Sequence, residues 1–209
     1  MALSPEGDGS SNVGTGFLVS IDKKVYLVTV AHLVTGKVSQ TDEWALWADQ
    51  IHYAPAGKSQ AAISMFDVGA FGNRLPRFKF LRAEDLPIVI VDMILLPLDP
   101  DDPLMNASEI FHLPNDWAET YISGQALDMV GCEPWPEMKV QSHFLIKPGI
   151  VHLIEPPPTK GFSGCPVVDA EGLLVGMAYG TVGSEAEERG QVVAAQLFER
   201  AVQSVGGVG

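Results

Sequence analysis

Ser163 sits in the stretch Lys160-Gly161-Phe162-Ser163-Gly164-Cys165-Pro166-Val167-Val168, with a glycine close on either side. Glycines there let the backbone turn sharply and bring amide N–H groups up to a carbonyl oxygen. The run that follows, Val167 to Gly176, reads as a strand, a turn and a second strand. A hydroxyl presented on a tight loop and held by sheet is suited to nucleophilic attack once a base lies within reach. The same stretch also reads as a plain glycine-rich hairpin loop.

The base has to come from upstream. All five histidines (His32, His52, His112, His143 and His152) precede Ser163. That order excludes the Gly-x-Ser-x-Gly elbow, which needs a glycine where Cys165 stands and a histidine after the serine. A carboxylate to orient the histidine is offered by Asp92. It interrupts Leu86 to Leu96, the most apolar stretch of the chain. An unpaired carboxylate is costly to bury, so Asp92 either ends a strand in solvent or accepts from a histidine ring N–H. The apolar flanks favour the histidine. Asp67, in Met65-Phe66-Asp67-Val68, has a similar setting and stays open as the alternative.

These residues need a sheet-rich frame, and composition is consistent with one. The chain has 209 residues, 46% hydrophobic and 19% charged, with 15 prolines and 21 glycines. This is globular composition with many turns, enough for one large all-β unit. Thirteen Lys and Arg face twenty-six Asp and Glu, a net charge of −13. Such a chain repels nucleic acid, so no nucleic-acid partner is expected. No apolar run approaches the roughly 20 residues of a membrane span, so no membrane association is expected. The N-terminal residues lack a signal-peptide core, which predicts a cytoplasmic protein. Cys132 and Cys165 lie in apolar or glycine-rich surroundings and are expected as buried free thiols. The histidines show no metal-ligand spacing, and no metal or cofactor is expected.

Residues 1–12 read as a flexible tail. Residues 14–20 and 25–30 read as a hairpin that leads into one helical turn at Ala31-His32-Leu33-Val34. Residues 43–53 and 61–71 are strand candidates with poorer alternation. The proline- and acid-rich run 97–108 separates a front half from a back half. Leu197 to Val202 reads as a short C-terminal helix.

Three segments, Thr29-Val30-Ala31-His32, Val91-Asp92-Met93-Ile94-Leu95-Leu96 and Gly161 to Pro166, together resemble the trypsin-like serine peptidases. They are most similar to compact bacterial HtrA-type members. Gly14-Thr15-Gly16-Phe17 and Gly172-Leu173-Leu174-Val175-Gly176 add to the resemblance, which spans about residues 13–206. It implies an all-β fold of two six-stranded antiparallel β-barrels with a short C-terminal helix. The barrels fall at 13–98 and 118–209, the second range including the helix, with 99–117 as connection. It implies a catalytic triad of Ser163, His32 and Asp92, an oxyanion hole from the backbone N–H groups of Gly161 and Ser163, and a polypeptide substrate. The primary pocket would be lined by Pro158, Thr159, Met177, Ala178, Tyr179 and Gly180, and an apolar or small residue is expected before the cut. The resemblance points to a bacterial origin and leaves the oligomeric state undetermined.

The family's usual Gly-Asp-Ser-Gly-Gly-Pro is altered at two places. Phe162 replaces the aspartate that pairs with a freshly cut N-terminus in zymogen-activated members, so activation of that kind is not expected. Cys165 replaces a glycine. A silent double barrel that only binds a partner peptide is the second reading of the same residues.

Overall fold

A computed structural model describes residues 1–5, 12–36, 40–41, 44–54, 60–83, 86–106, 108–184 and 187–204. The front half contains β1 (Ala2–Ser4), β2 (Gly14–Thr15), β3 (Phe17–Ile21), β4 (Lys24–Thr29), α1 (His32–Thr35), β5 (Gln40–Thr41), β6 (Gln50–Ala54), β7 (Ala61–Ser64), β8 (Phe66–Val68), β9 (Arg74–Pro76), β10 (Lys79–Ala83) and β11 (Leu86–Pro97). The back half contains β12 (Ile110–His112), β13 (Ala126–Cys132), β14 (Met138–Lys147), β15 (Val151–Glu155), β16 (Pro166–Val168), β17 (Leu174–Val182), β18 (Arg189–Ala194) and α2 (Gln196–Gln203). The protein is all-β apart from these two short helices, as its turn-rich composition predicts.

The back half closes on itself as a six-stranded barrel in the order β13-β14-β15-β18-β17-β16. The front half, with β12 added from beyond it, is built from two main sheets, β2-β1-β6-β7 and β10-β11-β4-β3-β12, with a small β8-β9 hairpin beside them. Residues 14–21 belong to both main sheets. They run as β2 into β3 and bend at Gly16, where a Cβ would lie 2.5 Å from Leu3 Cδ1 and 2.9 Å from Leu27 Cδ1. The β3–β4 turn is carried by Asp22 (φ 50°) and Lys23 (φ 66°), the left-handed pair that matches the twist of a two-residue hairpin.

Two local expectations change. Ala2–Ser4, expected in a flexible tail, form a fully buried strand that pairs with β6 and β2; residues 6–11 lie outside the described residues. β12, from the expected connection, joins β3 as a parallel edge strand rather than an antiparallel one. In the 43–53 stretch a 3₁₀ turn at Trp44–Leu46 precedes β6. Trp44 and Trp47 pack there around Phe78, with the Trp47 and Phe78 rings stacked 4.9 Å apart. Aromatic packing overrides local strand preference at that point.

One core fills the front half and continues under α2, whose Leu197, Phe198 and Ala201 are buried in it. The C-terminal helix therefore packs on the opposite half, and Ser204 Oγ donates to Phe80 O at 3.0 Å. A second core fills the back barrel around Leu127, Met129, Leu145, Phe162 and Val175.

His152 points into that barrel and is fully buried. Its Nδ1 accepts from Gly149 N–H at 3.1 Å, and its ring lies 4.4 Å from that of Tyr121. Burial depresses its pKa from 6.5 to about 4. Below pH 6.5 the unfolded chain takes up a proton that the folded chain refuses until about pH 4. Stability is therefore lost as pH falls through that window, by on the order of 3 kcal/mol from this group. Guanidinium midpoints at pH 7 and 4.5 should fall less for His152→Leu than for wild type. Equal falls would remove His152 as a cause.

Candidate active site

His32 opens α1 at the end of the β4 hairpin, and Asp92 lies inside β11, the strand that pairs with β4. That pairing carries two residues 60 apart in sequence into contact. Asp92 holds His32 twice: Oδ1 accepts from the main-chain N–H at 2.8 Å, and Oδ2 lies 2.6 Å from Nδ1. Both carboxylate oxygens are thereby satisfied although Asp92 is only 7% exposed. A carboxylate on Nδ1 keeps the proton there and leaves the Nε2 lone pair free. Asp67 is elsewhere: its side chain is exposed, and Oδ1 lies 3.8 Å from Arg77 Nε. The structure brings Asp92, not Asp67, to the histidine.

Ser163 lies between β15 and β16 on a loop whose amides are used selectively. Phe162 N–H donates to Thr159 O at 3.3 Å, Gly164 N–H to Ala178 O at 2.7 Å, and Cys165 N–H to Phe162 O at 3.0 Å. Among the described residues the N–H groups of Gly161 and Ser163 donate to no protein acceptor. The loop conformation needs glycine at 161 (φ 94°) and at 164 (φ 85°). Phe162 is fully buried and sits over Gly131, where any Cβ would lie 2.4 Å from its ring. The loop is thus anchored by an apolar side chain. Burying a phenylalanine contributes about 2–3 kcal/mol.

Sequence reasoning gave Thr15 no role. It is fully buried and joins the serine loop to the front half. Its N–H donates to Ser163 O (2.8 Å), its Oγ1 donates to Gly161 O (2.9 Å) and accepts from Cys132 N–H (2.9 Å), and its carbonyl accepts from Thr29 Oγ1 (2.8 Å). No local pattern signals such a residue, because every partner except Thr29 lies in the other half.

His32 and Ser163 line one cleft of about 430 Å³ together with Pro158, Thr159, Lys160, Ala178, Tyr179, Gly180, Thr181, Glu188 and Gln191. Five of the six expected pocket residues are on its wall. Met177 is not. It is fully buried and pairs with Val193 one step deeper along β17, where the face closes against the core. The polar members Lys160, Thr181, Glu188 and Gln191 were not among the expected lining residues. Burial, then the Asp92 charge, raise the Tyr179 phenol pKa above its ordinary value.

Both thiols are free and buried. Burial pushes Cys132 up to about 11 and Cys165 higher still, so neither offers a thiolate near neutral pH. Among the described residues no group of three or more His, Cys, Asp or Glu could hold a metal, and no helix is long and apolar enough to cross a membrane.

No protein-family model matches the sequence, and no curated protein matches it. Solved structures do match. The Rv3671c protease of M. tuberculosis in its active form is 17% identical, covering 100% of this chain and 81% of that one, with a TM-score of 0.57. The HtrA-type protease AlgW with a tripeptide is 14% identical over 98% of this chain and 58% of that one, with a TM-score of 0.59. The serine protease domain of the Sesbania mosaic virus polyprotein is 14% identical over 99% and 92%, with a TM-score of 0.60.

Proposed function

Starting from the trypsin-like serine-protease fold that the chain shares with these structures, we propose that the protein is a serine endopeptidase. The observation that carries this reading is the amide pattern of the serine loop. Three N–H groups are tied to carbonyls, while among the described residues those of Gly161 and Ser163 donate to no acceptor, and Ser163 lines the cleft that His32 shares. Spare amides flanking a nucleophile are what a developing oxyanion requires.

In the proposed reaction Ser163 Oγ attacks the peptide carbonyl while His32 Nε2 takes its proton. The carbonyl oxygen becomes an oxyanion held by the Gly161 and Ser163 N–H groups. The C–N bond then breaks, and the imidazolium gives its proton to the departing amine. Water, deprotonated by the same imidazole, hydrolyses the acyl-enzyme and restores Ser163. Asp92 keeps the Nδ1–H tautomer and stabilises the imidazolium.

A polypeptide substrate fits the strand edge beside the cleft. β17 pairs with β16 only at its start, whereas it pairs with β18 out to Val182. Among the described residues Tyr179 to Val182 therefore present one unpaired edge to which an extended peptide could add.

An alkyl fluorophosphonate reacts with a serine only when its hydroxyl is activated. Wild-type protein is expected to form a single adduct, which peptide mass spectrometry maps to Ser163. No adduct, or an adduct elsewhere, would sink the enzyme reading in favour of a silent peptide-binding barrel.

A further inference from the structure

Gly180 and Gln191 face each other across β17 and β18 in the cleft wall. A methyl group built on Gly180 meets nothing within 4 Å except Gln191 Oε1, at 3.9 Å. The space over Gly180 is therefore open, and a carboxamide faces it. Gly180 and Gln191 share this cleft with Ser163, so on the endopeptidase reading the space would take the side chain of the residue whose carbonyl is attacked.

The neighbouring polar groups are already occupied. Thr159 Oγ1 donates to Glu133 Oε2 (2.8 Å) and accepts from Gln141 Nε2 (2.6 Å). Thr181 Oγ1 donates to Glu188 Oε1 at 2.6 Å, and the Arg189 guanidinium turns to Glu155 at 3.4 Å. Lys160 and Glu188 are exposed, opposite in sign and screened by solvent, so neither grips a charged side chain strongly. Gln191 differs. It is half-buried, and among the described residues its carboxamide makes no hydrogen bond.

We propose that Gln191 is the specificity-determining residue of this cleft, selecting substrates with a carboxamide side chain, glutamine or asparagine, immediately before the cut. This assignment rests on the endopeptidase reading. A carboxamide both donates and accepts, so it pairs with a second carboxamide through two complementary bonds. An apolar side chain of equal size leaves the half-buried Gln191 amide unpaired, and sites built to hydrogen-bond reject such analogues strongly. A charged side chain must lose water, and the charged residues of the wall, Lys160 and Glu188, are exposed and opposite in sign and offset that loss only weakly.

The test is a peptide library varied only at that position, read as kcat/KM for wild type and Gln191→Leu. Wild type is expected to prefer glutamine or asparagine over methionine or leucine by about tenfold or more. Gln191→Leu should lose that preference while cleaving the leucine and methionine peptides at least as well. Equal fluorophosphonate labelling of the two proteins at Ser163 shows that the variant is folded. A wild type that favours leucine or methionine, or a Gln191→Leu that keeps the amide preference, overturns this assignment alone. A wild type that cleaves no member of the library overturns the endopeptidase reading and this assignment with it.

Discussion

Asp92→Asn should lower kcat by about four orders of magnitude and leave the fold intact. The replacement is isosteric, and its carbonyl can still accept from the His32 main-chain N–H that now bonds to Oδ1 at 2.8 Å. The loss falls on the second bond, the 2.6 Å contact with Nδ1. Asparagine offers an NH₂ or a neutral oxygen there. The first drives the imidazole into the wrong tautomer, and the second leaves the imidazolium without a counter-charge. Asp67→Asn is the matched control, since Asp67 is exposed and loosely paired with Arg77. It should change kcat by less than twofold, as expected for a surface pair of small energetic weight. Turnover of an activated peptide ester by both variants, with melting temperatures beside it, checks the contrast. A large fall for Asp67→Asn, or none for Asp92→Asn, would reassign the acid.

Gly161→Ala carries the second large effect. Gly161 has φ 94°, and a Cβ there would lie 1.9 Å from Cys132 O. The obstacle is backbone inside the closed barrel, which cannot swing aside like a long side chain. The loop itself must shift, and the Gly161 N–H leaves its place beside Ser163. Losing one such donor costs about 10²–10³ in kcat. KM should change little, because the donor acts on the charge that develops in the transition state. Gly172→Ala separates this from backbone strain alone. Gly172 also has a positive φ, 80°, but nothing lies within 4 Å of its Cβ position. Its substitution should cost about 1–2 kcal/mol of stability and leave kcat unchanged. Parallel kcat and denaturation measurements decide the point. Equal kcat for Gly161→Ala and wild type would remove Gly161 from the reaction.

His32 and Asp92 were legible because each broke a local pattern. His32 ends an apolar strand in a helical turn. Asp92 sits where a lone carboxylate would be too costly to bury, so a partner had to exist. Phe162 and the two glycines of the loop were visible as types, but not as a packed ring with Gly131 beneath it. What stayed hidden depends on register. Ala2–Ser4 look like tail because their strand partners, His52 to Ala54, lie far along the chain. Met177 shares a strand with Tyr179, and only the pairing with Val193 shows that its end of the strand is closed over. Gln191 becomes a wall residue only once it is set opposite Gly180. The expected pair of closed barrels was also half visible. Hydrogen bonds close the back one, while the front one turns its corner through the shared segment 14–21.

Thr15 gives the molecule an internal safeguard. Synthesis proceeds from the N-terminus, and front segments generally fold first. The back barrel can complete its own hydrogen-bonded ring, yet its serine loop reaches out to a threonine borne by the other half. A partly made chain, or a back half cut free, holds the serine but not the hydroxyl and amide that brace its loop. On the proposed endopeptidase reading, the capacity to cut belongs to the assembled pair and arises only when both halves have met.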